Sequence, residues 1–258
     1  MKGVVLAGGT GSRLSPLTRV TNKHLLPVYD KPMVYYPIQM LINAGIYQIL
    51  LVTGGDTAGD FLRLLGNGRN FGLKHLNYTY QEGNGGIAEA LALAEHFAEG
   101  EQICVALGDN IIENNICHAV ETFKKQNEGA KVLLKEVADP YRFGVPEIQG
   151  NRVVGIKEKP AAPKSNYAVI GIYLYDSTLF QKIRGLERSG RGELEITDVN
   201  NCYIKEGKLS YEFLDGWWTD AGTFDSLLRT SNLVAKTGAN KMVNDSSADN
   251  PDRQDVNR

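Results

Sequence analysis

Short apolar segments alternating with stretches of helical periodicity constrain this chain more than any other feature. Residues 2–6, 48–53, 76–80, 102–107 and 130–136 are apolar, β-branched or aromatic runs bounded by glycine or polar turns. Between them, residues 32–44, 56–65, 87–98 and 116–126 carry apolar side chains at helical spacing, the third rich in the strong helix formers Ala and Leu. Strands separated by such helices become neighbours through crossovers. The pattern therefore predicts an α/β fold, a Rossmann-like, mostly parallel mixed sheet flanked by helices. Ligands of such sheets gather at the carboxyl ends of the strands. The segments following those ends, Gly8 to Arg13, Gly54 to Asp56, Gln81 to Gly86 and Asp109-Asn110, are then expected on one rim.

After residue 136 the pattern changes. Residues 153–157, 167–175 and 209–214 read as strands, and 195–205 and 224–235 as helices, with alternation in 167–175. This half is expected to extend the first sheet, giving a single domain over 1–243. Residues 244–258 are polar and aliphatic-poor, and are expected to form a disordered tail. At 258 residues and 42% hydrophobic content the chain can bury a large core. A net charge of −2 gives no electrostatic case for nucleic acid or an anionic membrane as partner. There is no long apolar run and no leader pattern, so a cytoplasmic protein is expected. The three cysteines, Cys104, Cys117 and Cys202, lie too far apart for metal spacing and are expected to be buried apolar thiols.

The run LAGGTGSRLSPLTRVTNKHLLP fills positions 6–27. Gly8, Gly9 and Gly11 directly follow the first strand, with Arg13 and Lys23 after them. Glycine turns of this kind let backbone N–H groups approach phosphate oxygens. A P-loop does not fit: Gly3 and Gly8 have its glycine spacing, but Gly9-Thr10 stands where Lys-Ser/Thr is needed. A dinucleotide fingerprint fits half-way, through Gly9-Thr10-Gly11, but Leu14 takes the place of its third glycine; Asp30 is placed to read a ribose, so this alternative stays open. A guanidinium, an ammonium and backbone donors suit a triphosphate whose leaving group is pyrophosphate. Pro16, Pro27 and Pro32 stiffen the segment.

GGTGSRL and NKHLLPV, followed in order by KPMVYYPIQMLINAGI, LGDN, RFGVPEI, EKP, YAVIGIYLYD, RGELEITDVN and WWTDAGTFDSL, resemble the signature of the sugar-1-phosphate nucleotidyltransferases over roughly residues 1–236. Within that family the chain is most similar to members that use dTTP and glucose 1-phosphate. The resemblance implies in-line attack of a sugar phosphate oxygen on the α-phosphorus of a nucleoside triphosphate, with Mg2+ as cofactor. That oxygen is already anionic, so no general base is required. This suits a chain whose histidines, His24, His75, His96 and His118, form no evident triad; His24 is read as structural. Carried over by motif, Gly8, Gly9, Gly11, Ser12, Arg13, Gln81, Gly86 and Asp109 bind the nucleotide. Gly144, Glu158, Lys159, Val169 and Arg191 bind the sugar phosphate, with Asn110 and Tyr173 lining the same pocket. Asp109 and Asp220 hold the metal, and Arg13, Lys23, Lys159 and Arg191 carry the electrostatic catalysis. One of Trp217 and Trp218 is assigned to the core.

The match departs from longer members in three places. Residues 81–86, QEGNGG, are glycine-rich where those members carry prolines. Thr219-Asp220-Ala221-Gly222 replaces Leu-Asp-Thr-Gly. The further C-terminal helices of long members have no counterpart here, so their feedback site and tetramer do not carry over, and homo-oligomerisation stays open. A UTP-dependent uridylyltransferase and a non-catalytic nucleotide-sugar sensor remain as alternatives.

Overall fold

A computed structural model describes residues 1–126 and 128–242; the tail expected at 244–258 lies outside the described residues. In chain order the elements are β1 (Lys2–Leu6), β2 (Pro27–Val28), β3 (Lys31–Pro32), α1 (Tyr35–Asn43), β4 (Ile49–Gly54), α2 (Ala58–Leu65), β5 (Leu76–Gln81), α3 (Ile87–Ala92), α4 (Glu95–Ala98), β6 (Ile103–Leu107), β7 (Asn110–Ile112), α5 (Cys117–Lys124) and β8 (Ala130–Glu136). They continue with β9 (Gly144–Gln149), β10 (Arg152–Glu158), β11 (Tyr167–Tyr175), α6 (Leu179–Arg184), α7 (Ile196–Lys205), β12 (Leu209–Phe213), β13 (Trp218–Asp220) and α8 (Phe224–Thr237).

The predicted α/β architecture is the one observed. β1 pairs in parallel with β4 and β6, and β4 with β5. β11 then joins β6 antiparallel and links the second half to the same sheet, through β8 and β12 on one side and the β9–β10 hairpin on the other. Alternation along the strands sends side chains to opposite faces. Val5, Leu51 and Ala106 pack with α1, α2 and α5, whereas Val4, Leu50 and Val105 pack with α3, α6 and α7. Each fully buried Leu, Ile or Val contributes roughly 1.5–3 kcal/mol, so two filled faces fix the register of every strand.

Differences from the sequence reading have local causes. The helix expected over 87–98 is two, α3 and α4. A tightened turn, in which the Ala94 N–H donates to Leu91 O at 3.0 Å, keeps both Ala94 and Ala98 buried. Every residue there favours helix, so propensity carries no sign of the break. β7 and β13 are too short to show a period, yet their antiparallel pairing sets Asp220 opposite Asn110. The strand β9 and the helix α6 were also not anticipated. Of the cysteines only Cys104 is buried; Cys117 and Cys202 are half-buried, at the edges of α5 and within α7. No helix among the described residues is long and apolar enough to cross a membrane.

Candidate active site

A cavity of about 430 Å³ opens at the carboxyl ends of the parallel strands. Gly8, Gly9 and Arg13 after β1, Gln81 at the end of β5 with Gly86 beyond it, and Asp109 after β6 line it, as expected. The turn Gly54 to Asp56 does not. Gly54 lies behind the wall, where a Cβ would stand 3.1 Å from Gln81 O and 3.9 Å from Gly8 Cα. Gly11 and Ser12 are also set back from the lining. Gly11, at φ +60, starts the short turn Ser12–Leu14 that buries Leu14 and delivers Arg13 to the cavity. A Cβ on Gly11 would meet Thr18 at 2.8 Å and Lys23 at 3.1 Å, so its role is to let those chains pass.

Lys23 and Asp109 form the centre of this side. Lys23 Nζ lies 2.6 Å from Asp109 Oδ2, and Asn110 Nδ2 donates to Asp109 Oδ1 at 3.0 Å. Burial, the largest single effect, would raise the Asp109 carboxyl, but the Lys23 charge together with the hydrogen bonds from Lys23 and Asn110 outweighs it and holds the group well below the usual carboxylate range. Behind the pair sits His24, buried, with Nδ1 2.8 Å from Asn22 Oδ1. Burial, then the Lys23 charge, pushes its ring down to about 3, so it is neutral at physiological pH. Gly108 is glycine because a Cβ there would come 2.6 Å from the imidazole.

Asp220 arrives from the far end of the chain on β13. The Ala221 N–H donates to Asp109 O at 2.9 Å, and Arg142 Nη2 donates to Asp220 Oδ2 at 3.2 Å. Burial and then the Asp109 charge raise the Asp220 carboxyl to about 6, against the opposing pull of Arg142 and Arg13.

The opposite wall comes from the antiparallel strands. Gly144 at the start of β9 pairs with Glu158 at the end of β10 and with Val169 of β11. A Cβ on Gly144 would stand 3.3 Å from Ile156, 3.4 Å from Thr197 Oγ1 and 3.5 Å from Glu158 Oε2. Lys159 follows at φ +43, a left-handed conformation unusual for a non-glycine residue, held by its N–H donating to Phe143 O at 2.9 Å. Lys159 Nζ lies 3.2 Å from Glu158, and Thr197 Oγ1 donates to Glu158 Oε2 at 2.7 Å. Arg191 Nη2 donates to both Glu195 oxygens at 2.8 Å.

The family model described as "Nucleotidyl transferase" matches residues 2–237. This chain belongs to the nucleotidyl transferase family. A glucose-1-phosphate thymidylyltransferase of Neisseria meningitidis serogroup A is 44% identical over 91% of this chain and 82% of its own length. One from Mycolicibacterium smegmatis is likewise 44% identical over the same shares. Among solved structures, a Bacillus anthracis protein described as a glucose-1-phosphate thymidylyltransferase, crystallised with sucrose, is 52% identical, with a TM-score of 0.88 over 92% of this chain and 96% of its own. A UDP-glucose pyrophosphorylase in complex with UDP-glucose, 23% identical with a TM-score of 0.82 over 91% of this chain and 98% of its own, shares the fold.

In this nucleotidyl transferase the cavity carries Arg13, Lys23, Arg142, Lys159 and Arg191 against Asp109, Glu158, Glu193, Glu195 and Asp220. The lining is thus electrically balanced by itself. Two phosphate-bearing substrates would need an added cation, and two neighbouring carboxylates are the donor set Mg2+ takes alongside phosphate oxygens. No group of three or more His, Cys, Asp or Glu side chains that could hold a metal ion is found among the described residues.

Asn110, Tyr173 and Trp218 line the cavity as well, while Trp217 packs with Val28, Met33 and Val234. Trp218 Nε1 donates to Asn110 Oδ1 at 2.7 Å. Several lining residues escaped the sequence reading: Arg142, Thr197, Asn200, Gly171 and Glu195. Arg142 stands two residues before Gly144, and Thr197 and Asn200 are spaced i, i+3 on α7, facing one side. Gly171 had a further signal, a glycine within an otherwise bulky strand. A Cβ there would lie 2.7 Å from Asn110 Nδ2.

Proposed function

We propose that this chain transfers a thymidylyl group from dTTP to glucose 1-phosphate, giving dTDP-glucose and pyrophosphate. The observation that carries the reading is the meeting, in one cavity, of a glycine turn with Arg13 and Lys23, an Asp109–Asp220 pair, and a Gly144–Glu158–Lys159–Arg191 wall, in a chain 44% identical over 91% of its length to thymidylyltransferases.

In this reading Gly8, Gln81 and Gly86 meet the base, and Gly8 and Gly9 bring backbone N–H groups to the triphosphate. Arg13 spans two phosphate oxygens with its fork of donors. Lys23, already beside Asp109, faces the α-phosphate and the departing pyrophosphate. Glu158 accepts sugar hydroxyls, Gly144 and Val169 let the ring lie against backbone, and Lys159 and Arg191 hold the sugar phosphate. Asp109 and Asp220 would hold Mg2+, which supplies charge neutralisation between two polyanions. The sugar phosphate oxygen forms a bond to the α-phosphorus as the bond from that phosphorus to the β-phosphate bridge breaks. The electron pair leaves with pyrophosphate, and no proton need be removed. Catalysis is alignment and preorganised charge, and neutral His24 supports the floor of the site without joining the chemistry.

The test is pyrophosphate release with glucose 1-phosphate and Mg2+, using dTTP, UTP, ATP, CTP and GTP in parallel. Release led by dTTP is expected. Release led by UTP keeps the mechanism and changes the base; no release with any nucleotide and any sugar 1-phosphate overturns the reading in favour of a nucleotide-sugar sensor.

A further inference from the structure

Gln81 is buried at the end of β5, and its amide is not free to turn. Its Nε2 lies 3.3 Å from Gly86 O and 3.3 Å from Glu89 Oε1. A carbonyl oxygen and an ionised carboxylate only accept. Turning the amide over would set its oxygen against two other oxygens. The orientation with Oε1 directed at the Gly8 wall of the cavity is therefore the satisfied one; a Cβ on Gly8 would stand 3.1 Å from that oxygen.

Glu89 is itself held. It sits in the first turn of α3, and Arg188 Nη2 donates to its Oε2 at 2.6 Å, while Arg188 Nη1 donates to Gly192 O at 2.8 Å. The Arg188 hydrogen bond holds the Glu89 carboxyl below the usual range, so it stays ionised and accepting at neutral pH. The Leu194 N–H donates to Gly85 O at 2.8 Å, tying the loop of Arg188 to the loop that follows Gln81. Neither Glu89 nor Arg188 lines the cavity.

We propose that Glu89, anchored by Arg188, is a positioning residue that locks the Gln81 amide with its acceptor toward the base, and so selects pyrimidines with an N3–H and a 4-oxo group over cytosine. The inference rests on the assignment of Gln81 to the base made above. Uracil and thymine offer a donor at N3, which an accepting Oε1 meets. Cytosine offers a lone pair at N3 and an amino group at C4, and the same Oε1 meets it oxygen to nitrogen lone pair. An unclamped glutamine reads either base by rotating its amide by half a turn. The discrimination therefore resides in the clamp, not in the glutamine alone.

The experiment compares kcat/KM for dUTP and dCTP, with glucose 1-phosphate, in the wild type, Glu89→Gln and Arg188→Ala. These two nucleotides differ only at the N3/C4 edge. Glu89→Gln can donate to a turned Gln81 oxygen, so the dCTP/dUTP ratio of kcat/KM is expected to rise at least about tenfold, the ratio that an avoided unsatisfied polar contact implies. Arg188→Ala, which only loosens Glu89, is expected to give a smaller rise. General damage to packing lowers both rates and leaves the ratio unmoved. An unchanged ratio in a folded, dUTP-active Glu89→Gln overturns the proposal; if that variant does not fold, an unchanged ratio in Arg188→Ala does so. A wild type that turns over ATP but neither dTTP nor dUTP overturns the base assignment itself, and the clamp with it.

Discussion

On the side of the cavity proposed for the nucleotide, Gly8, Gly9, Arg13 and Asp109 follow the ends of parallel strands and Gln81 ends one; on the side proposed for the sugar phosphate, Gly144, Glu158 and Lys159 sit at the ends of antiparallel strands, and Arg191 on the loop before α7. The two sides also differ in how their charge is held. Arg13 makes no ion pair among the described residues, and Lys23 has Asp109 alone. Lys159 and Arg191 are both paired, with Glu158 and with Glu193 and Glu195. The proposed reading turns this contrast into a division of labour. Parallel strand ends supply backbone donors and available positive charge, which a triphosphate needs. The antiparallel wall supplies a preset network of carboxylates and partnered cations, which can recognise neutral hydroxyls beside one phosphate without attracting a second triphosphate.

The largest effect is expected at Asp109, where the two sides meet. Asp109→Asn should lower kcat by about a hundred- to a thousandfold, as removal of a preorganised electrostatic group does. Circular dichroism should be unchanged, since β6 and β7 are held in their sheets by backbone ladders that the substitution leaves in place. Arg13→Ala should approach the same loss in kcat/KM for the nucleotide, with little change in the KM for glucose 1-phosphate. Arg191→Ala should show the mirror pattern, raising the KM for glucose 1-phosphate by about ten- to a hundredfold while the nucleotide KM moves far less; initial-rate matrices in both substrates separate the two cases. Equal effects on both KM values would erase the distinction between the sides.

Proton linkage at Asp220 gives a milder test. Its carboxyl titrates near 6, above the ordinary value, so it is protonated below that pH and ionised above it. In the proposed reading Asp220 binds Mg2+, and a metal ligand must be deprotonated. Apparent Mg2+ affinity should therefore be level above pH 7 and fall by about tenfold per pH unit well below 6, as titration calorimetry would read. The smallest effect is expected at the base: Gln81→Ala should reduce the preference for pyrimidine over purine triphosphates by several-fold, since one side-chain hydrogen bond is worth about 1 kcal/mol.

How far the two sides were legible in the sequence follows the same division. β1, β8 and β11 match the sequence pattern to the residue, and Gly8 and Gly9 after β1 and Asp109 after β6 line the cavity as expected. Gly11 and Ser12 were expected on the lining and stand back from it: the motif marks a turn, and only the φ of Gly11 and its closeness to Thr18 show how that turn carries Arg13. The sugar side was less legible. Glu158, Lys159 and Arg191 came from resemblance alone, and Arg142 and Thr197 were missed, because one lies in a short turn before β9 and the other on α7, and only the tertiary fold brings both to the cavity. The adjacency of Asp220 to Asp109 has no trace in local pattern. It exists through one pair of three-residue strands.

The proposed transfer is direct between the two sides, with the sugar phosphate attacking the α-phosphorus opposite the departing pyrophosphate and no nucleotide held covalently by the protein. The most direct measurement uses dTTP made chiral by a single sulfur at the α-phosphorus, with the configuration of the dTDP-sugar product read by phosphorus NMR. Inversion is the predicted result. Retention would require two successive displacements through a nucleotidylated side chain, and would contradict the account.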